Sequence, residues 1–398
     1  MNRNRATERP VLKRAGAVRR RLYVFIASLY YVVMHTDSHD IDSLLPFLLQ
    51  KRNIARIEGD ALLIGDRRVF PFERRFVSCD TVDEVVKSIK EMVTQGGGPL
   101  QVALTTIEWL AARMRRGDTP QTFDTFAGAC RLLKNSRPTN TTMARTLDGL
   151  LADIRPLFPP ESRQVSEAGV SDAIVEQVRR RENAFDSVYE RMGRLGAALI
   201  HDGDKILTTC FAEHTFLLSL IFARREGRAA SVYVSETRPY FQGARLTAPS
   251  LEALGFEVRL ICDGMGAHYI EDGTIDRYMT AADLVCADGT VVNKTGTLAN
   301  AVCARTFGIP YNVFSMAPDL SRRGRSDIVM EERNGRETCL AMGRPTTLPD
   351  VPGCYPAFDI IPPNFVSSVI TAEGIFKPDQ IGGHEFSRPG VGHSEETI

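Results

Sequence analysis

The 398 residues carry 49 Lys and Arg against 49 Asp and Glu, a formal net charge of zero, with 43% hydrophobic and 25% charged residues. This is an ordinary globular composition, long enough for two domains and a sizeable core, and its balanced charge excludes the electrostatic footprint of a nucleic-acid binder. The eight cysteines are scattered without a CxxC pair, which speaks against a zinc or redox motif.

Positions 1–21 hold eight Arg or Lys and one Glu, and the run LYVFIASLYYVVM follows. Residues 1–35 read as a basic and apolar N-terminal extension, disordered or from a misassigned start; the alternative is a signal peptide or short anchor. The apolar run is short for a membrane span. Alternating residues over 54–78, with turn signals at Gly59-Asp60 and Gly65-Asp66, predict short antiparallel strands. Thr81 and Glu84 form a capping box before VVKSIKEMV, and Gly96-Gly97-Gly98-Pro99 is expected to end that helix. Helical patterns follow at about 100–115, 121–134, 142–156 and 168–200, with RPLFPP at 155–160 as a break.

From 204 onward short apolar runs alternate with helical segments: KILTTC (205–210), SVYVSE (231–236), EVRLIC (257–262), DLVCA (283–287) and YNVFS (311–315). Repeated βα units predict a parallel sheet covered on both faces, with ligands outside the carboxyl ends of the strands. The fold class expected is therefore α/β, a C-terminal Rossmann-like parallel-sheet domain (201–377) preceded by a smaller helical domain with a strand-rich entrance (54–165) and a connecting helix (166–200). The stretch 378–398 has no apolar period and reads as a flexible tail. No GxGxxG follows the first strand, so no dinucleotide site is indicated.

Several residues have the chemistry of a site. Cys210 ends a predicted strand just before a helix, where a helix dipole lowers a thiol pKa; the competing reading is a buried inert thiol. His214 reads as a surface histidine. Asp283 lies among apolar neighbours, where lost solvation raises a carboxyl pKa and suits an acid, unless it is a cap or turn residue. Asn293-Lys294-Thr295-Gly296-Thr297 opens a helix and offers a cation and free N–H groups to an anion. Arg137-Pro138-Thr139-Asn140 is a second candidate anion contact, and the polar loop 236–247 is a candidate for sugar hydroxyls.

In combination, RPT at 137, ILTTC ending at Cys210, ETRPYFQGARLT from Glu236, DGMGA from Asp263, AAD ending at Asp283, NKTGT from Asn293, EER from Glu331 and YPAFD from Tyr355 resemble the methylthioribose-1-phosphate isomerase superfamily. That superfamily also holds ribose-1,5-bisphosphate isomerase and the regulatory subunits of translation initiation factor 2B. The resemblance, from about 55 to 375, implies an aldose–ketose isomerase of a pentose 1-phosphate with Cys210 and Asp283 as the catalytic pair. It implies substrate contacts at Gln95, Gly96, Gly97, Arg137, Gln242, Asn293 and Lys294. It further implies no cofactor or metal, a cytoplasmic homodimer in methionine salvage, and no nucleic-acid or membrane partner. The alternative it leaves open is a non-catalytic sugar-phosphate or nucleotide-binding regulatory protein of the initiation factor 2B type. Three departures surround the substrate: Gln95 with an extra glycine where the family has RGAP, Phe211-Ala212-Glu213 where it has Asn-Ala-Gly, and Leu284 where it has Arg. They leave the substituent at C5 of the sugar undetermined.

Overall fold

Alternation over 55–79 makes three antiparallel strands, β1 (Ala55–Glu58), β2 (Ala61–Gly65) and β3 (Phe76–Cys79), paired in that order. The computed structural model describes residues 40–117, 122–137, 141–158, 166–330 and 332–386. The expected extension at 1–35 lies outside these, as do residues 138–140 and Glu331. Helix α1 (Val82–Lys90) carries both bonds of the expected capping box, Glu84 N–H to Thr81 Oγ1 at 3.2 Å and Thr81 N–H to Glu84 Oε2 at 3.1 Å. The glycine run does not close this helix. It opens the next, α2 (Gly98–Arg116), with Pro99 in the first turn, where its missing N–H has no intrahelical partner to lose. Helices α3 (Phe123–Ser136) and α4 (Thr141–Ile154) complete a layer whose core includes Trp109, Phe126, Leu133, Leu147 and Ile174.

Helix α5 (Glu167–Ala197) has two sets of partners. Its first half contributes Val170, Ile174, Val178 and Phe185 to the core of the helical layer. Its last turns lie on α6 (Glu213–Arg225) at Gly193 and Gly196. A Cβ at Gly193 would lie 2.6 Å from that of Leu218, and one at Gly196 would lie 2.2 Å from Ser219 Oγ, so only glycine permits this approach.

The remaining strands form a seven-stranded sheet from β4 (Asp204–Thr208), β5 (Ala230–Ser235), β6 (Glu257–Ile261), β7 (Arg277–Ala281), β10 (Tyr311–Phe314), β14 (Ser368–Thr371) and β15 (Gly374–Phe376). The spatial order is β15-β14-β10-β7-β4-β5-β6, parallel except for β15 at one edge. The chain therefore builds to one side of β4 through β5 and β6, then to the other through β7, β10 and β14. The order reverses between β4 and β7, and a crevice at the carboxyl ends of strands follows from such a reversal. Helices α7 (Ala248–Ala253), α8 (Gly266–Glu271) and α9 (Thr297–Phe307) connect the strands, and α8 and α9 pack over Leu207, Tyr233, Tyr278 and Tyr311.

The fourth expected strand is displaced. The sheet strand is β7, whereas β8 (Leu284–Val285) joins β9 (Val291–Lys294) and β13 (Phe358–Ile361) in a separate antiparallel sheet. Arg277 hides β7 from an apolar-run reading: it is buried, with bonds to Asp204 Oδ2 and Asn312 Oδ1, both 3.2 Å. A small hairpin, β11 (Leu340–Ala341) and β12 (Arg344–Pro345), lies in the excursion after β10. The expected flexible tail is packed over its first residues: Ile381 is fully buried and His384 Nε2 lies 2.5 Å from Glu373 Oε2. Residues 387–398 lie outside the description.

Candidate active site

The two strands flanking the reversal carry the two groups singled out from sequence. Cys210 stands two residues beyond β4 and Asp283 two residues beyond β7. The Cys210 thiol lies within electrostatic reach of Lys294, Asp283 and Glu213. Its backbone adopts φ of +67°, its amide donates to Thr237 Oγ1 at 2.9 Å, and its carbonyl accepts from Thr247 Oγ1 at 2.5 Å. Four of the six non-glycine residues with left-handed φ among the described residues are Cys210, Glu213, Thr237 and Phe241. Strain of this kind costs energy and persists where surroundings hold it, typically at functional sites.

The thiol is not activated as expected. Burial pushes Cys210 up to about 11, with Asp283 and Glu213 adding to the rise; Lys294 and the Phe211 amide oppose it without prevailing. The helix begins only at Glu213, and a macrodipole fades within its first turn. Carboxymethylation of Cys210, followed by peptide mass spectrometry, is therefore expected to be slow at pH 7.5 and to rise about tenfold per pH unit towards pH 11, because the thiolate is the nucleophile. A rate that saturates near pH 8 would contradict this placement. Asp283 also differs from expectation. Its side chain is exposed rather than buried among apolar neighbours, and its amide donates to Val292 O at 2.9 Å.

Lys294 closes β9 and is buried, 5% exposed, with Nζ 4.8 Å from the Phe358 ring centroid and 5.9 Å from that of Tyr355. Among the described residues no carboxylate lies within salt-bridge distance of it. A buried ammonium set over two aromatic rings is suited to an anion that arrives from outside. The helix start beside it is less available than expected: Asp359 Oδ2 already accepts from Gly296 N–H at 2.8 Å and Leu298 N–H at 2.9 Å. Register pairing of β13 with β9 sets Asp359 opposite Asn293 and brings this cap from far along the chain. Asn293 Nδ2 donates to Thr297 Oγ1 at 3.1 Å.

The loop 236–247 uses much of its polarity on itself and its neighbours. Asp263 accepts from the Thr237 and Arg238 amides, both at 2.7 Å, Arg238 donates to the Thr338 and Leu340 carbonyls, and Tyr240 donates to Glu337. Gln242 remains, just before a π-helical turn at Gly243–Thr247, with a buried Oε1 that has no partner. The Tyr355 hydroxyl is likewise buried and unpartnered, and Tyr355 is within electrostatic reach of Cys210.

On the helical side, Gln95, Gly96 and Gly97 meet Arg67, which sequence reasoning did not assign to the site, and Glu213, which it named only among the departures around the substrate. Arg67, 2% exposed, donates to Gln95 O and, at 2.9 Å, to Glu213 Oε1; Gly97 N–H donates to Glu213 Oε2 at 2.8 Å. Arg67 also stands over Phe211, 5.7 Å from its centroid. Arg137 Nη1 lies 3.1 Å from Met92 Sδ, near the same loop. His214 is not on the surface. It is buried and stacked on Tyr189, centroids 4.5 Å apart and planes at 10°, because α5 lies directly on the first turn of α6. Among the described residues no group of three or more His, Cys, Asp or Glu side chains could hold a metal ion, and no helix is long and apolar enough to cross a membrane.

At the reversal of this parallel sheet, where open α/β sheets bind their ligands, a buried lysine lies within electrostatic reach of Cys210, an arrangement suited to a small anion. Residues 96–378 match the Initiation factor 2 subunit family, and the chain belongs to it. It is 35% identical over 335 residues to the methylthioribose-1-phosphate isomerase of Pelotomaculum thermopropionicum, covering 81% of this chain and 90% of that one. The methylthioribose-1-phosphate isomerase of Roseiflexus castenholzii is 33% identical, covering 81% and 93%. The structure of 5-methylthioribose 1-phosphate isomerase from Pyrococcus horikoshii OT3 superposes with a TM-score of 0.73 at 27% identity, over 88% of this chain and 97% of that one. The translation initiation factor eIF-2B subunit delta from A. fulgidus gives 0.70 at 26%, over 82% and 96%.

Proposed function

We propose that the protein is an aldose–ketose isomerase of a pentose 1-phosphate. The reading is supported chiefly by one observation: the Cys210 thiol is electrostatically coupled to both Asp283 and Lys294 at the reversal of the sheet. Relatives bearing the isomerase name across four-fifths of the chain point the same way.

In this reading the phosphate rests at Lys294, and Gln242 and Tyr355 accept or donate to sugar hydroxyls. Asp283 in its acid form donates a proton to the ring oxygen. The C1–O bond breaks, its electron pair stays on that oxygen, and the positive charge left at C1 is shared with the phosphate-bearing oxygen. The hydrogen at C2 moves to C1 with its electron pair, and the C2 hydroxyl becomes a carbonyl by returning its proton to the Asp283 carboxylate. The acid is thereby regenerated, and aldose 1-phosphate becomes ketose 1-phosphate. A thiol held near 11 is almost wholly neutral at neutral pH, so Cys210 serves as an uncharged wall over the migrating hydrogen rather than as a base. The sugar itself, seated over the exposed Asp283, excludes water and favours the acid form.

Incubation of the full chain with 5-methylthioribose, 5-deoxyribose and ribose 1-phosphates, followed by NMR, is expected to show ketose 1-phosphate from at least one of them. The exposed Asp283 favours a second reading, a binding protein of the initiation factor 2B type. Binding without turnover would select it, and neither binding nor turnover would end both.

A further inference from the structure

We propose that Tyr278 is a positioning residue: its hydroxyl ties the end of β4, which leads into Cys210, to the start of α9 beside Lys294, and so fixes the thiol relative to the ammonium. The proposal rests on the isomerase reading above and deepens it. Tyr278 is fully buried, so it acts through these neighbours rather than on the sugar.

Strand alternation brings these groups together. Leu207 is paired with Tyr278 in the parallel register of β4 and β7, and Thr209, two residues beyond Leu207, continues on the same face. Helix α9 packs over that face, where Leu207, Tyr278, Ala301 and Ala304 share one core. There the Tyr278 hydroxyl lies 2.8 Å from Thr209 Oγ1, and Asn300 Nδ2 of α9 donates to the same Thr209 oxygen at 3.3 Å. Thr297 and Asn300 also lie within hydrogen-bonding reach of the phenol, which burial pushes up to about 12, so it keeps its proton at neutral pH. Thr297 Oγ1 donates to the Lys294 carbonyl at 2.6 Å and accepts from Asn293 Nδ2 at 3.1 Å. A run of buried polar groups thereby joins Thr209 to Asn293 and Lys294, with the phenol in its middle.

The backbone that this run holds does not adopt its shape unaided. Cys210 directly follows Thr209 and has φ of +67°, a conformation unfavourable to a residue with a side chain. Thr237 and Thr247 hold the Cys210 amide and carbonyl, at 2.9 and 2.5 Å, and Tyr278 holds the residue before it. Without the phenol oxygen, Asn300 is the one side chain among the described residues still bonded to Thr209, and a buried hydroxyl short of partners draws its segment towards water. Tyr311 supplies the comparison. It is stacked on Tyr278, centroids 4.5 Å apart, and is as fully buried, but its hydroxyl lies 2.8 Å from Thr280 Oγ1 on β7 rather than at the end of β4.

The test compares Tyr278→Phe with Tyr311→Phe in the full chain, each losing one oxygen from the same stack. On the responsive pentose 1-phosphate, Tyr278→Phe is expected to lower kcat about tenfold, the scale of one hydrogen bond, with KM within about threefold of the parent. Tyr311→Phe is expected to keep kcat within about twofold of the parent, whatever its Tm. Thr209→Val removes the same bond from the other side and is expected to reproduce the loss, whereas Thr209→Ser keeps the hydroxyl and is expected to retain the rate; this pair decides the matter if Tyr278→Phe does not fold. Hydrogen-exchange mass spectrometry needs no turnover: peptides containing residues 209–211 and 293–295 should exchange about tenfold faster in Tyr278→Phe and at the parental rate in Tyr311→Phe. Parental kcat in Tyr278→Phe, or an equal loss in both tyrosine variants, overturns the proposal. A parent inactive on every pentose phosphate refutes the isomerase reading instead, and the exchange comparison then decides whether Tyr278 ties the two segments.

Discussion

Asp283→Asn is expected to lower kcat on the responsive pentose 1-phosphate by roughly 10²–10⁴, the usual contribution of a positioned acid. The asparagine amide retains the size of the carboxyl and loses the proton that the ring oxygen needs. Because the side chain is exposed, the fold bears little of the change, and thermal denaturation should place Tm within a few degrees of the parent. Cys210→Ser is expected to lower kcat over a comparable range for another reason: a smaller, better hydrated hydroxyl admits water beside the reacting carbons. The two variants separate in their pH profiles. Loss of Asp283 removes the limb assigned to the acid, whereas loss of Cys210 leaves that limb in place, since its thiol titrates only near 11. Full rates in both variants would sink the assignment of this pair.

Arg67→Met is expected to destabilise the protein by roughly 3–5 kcal/mol at pH 7, because it leaves a buried carboxylate without its guanidinium. Both side chains are well shielded, 2% and 12% exposed, so solvent screens little of the interaction. The sign of its pH dependence follows from Glu213. Burial raises its pKa, but Arg67, His214 and the Gly97 amide together carry it below the ordinary value of 4.5. A group depressed on folding adds stability that is fully present above its unfolded pKa and is lost as pH falls through the folded one. The Arg67→Met penalty should therefore be largest at neutral pH and shrink as acid protonates the carboxyl. Urea unfolding at several pH values measures this, and Arg67→Met/Glu213→Gln should recover part of the loss at pH 7. A penalty independent of pH would assign the loss to packing rather than charge.

Which parts of the protein were legible in its residue order follows from the range of the interactions. The Thr81–Glu84 capping box was readable because both partners lie within one helical turn. The long helix over 167–197 was readable because its apolar period repeats many times. Strand β7 was misplaced because Arg277, a charged residue at the start of a buried strand, is made tolerable by partners distant in sequence, Asp204 and Asn312 on the neighbouring strands and His201. The start of α9 looked open to an anion because nothing nearby in the chain announces Asp359, which antiparallel pairing delivers to it. The surface assignment of His214 failed because α5, not a sequence neighbour, covers that face.

The candidate site divides in the same way. The residue order alone singled out Cys210, Asp283, Asn293 and Lys294, because each sits at a strand end or helix start with a recognisable local pattern, and it supplied the family through the order and spacing of those patterns. What it did not hold is the electrostatic setting. The desolvation that keeps the thiol protonated depends on groups that only the fold assembles, and so does the solvent exposure of Asp283. The capture of Glu213 by Arg67 joins residues 146 positions apart. Such a contact has no periodicity and no local motif; it comes into being when packing brings two distant backbones together and removes the water between them.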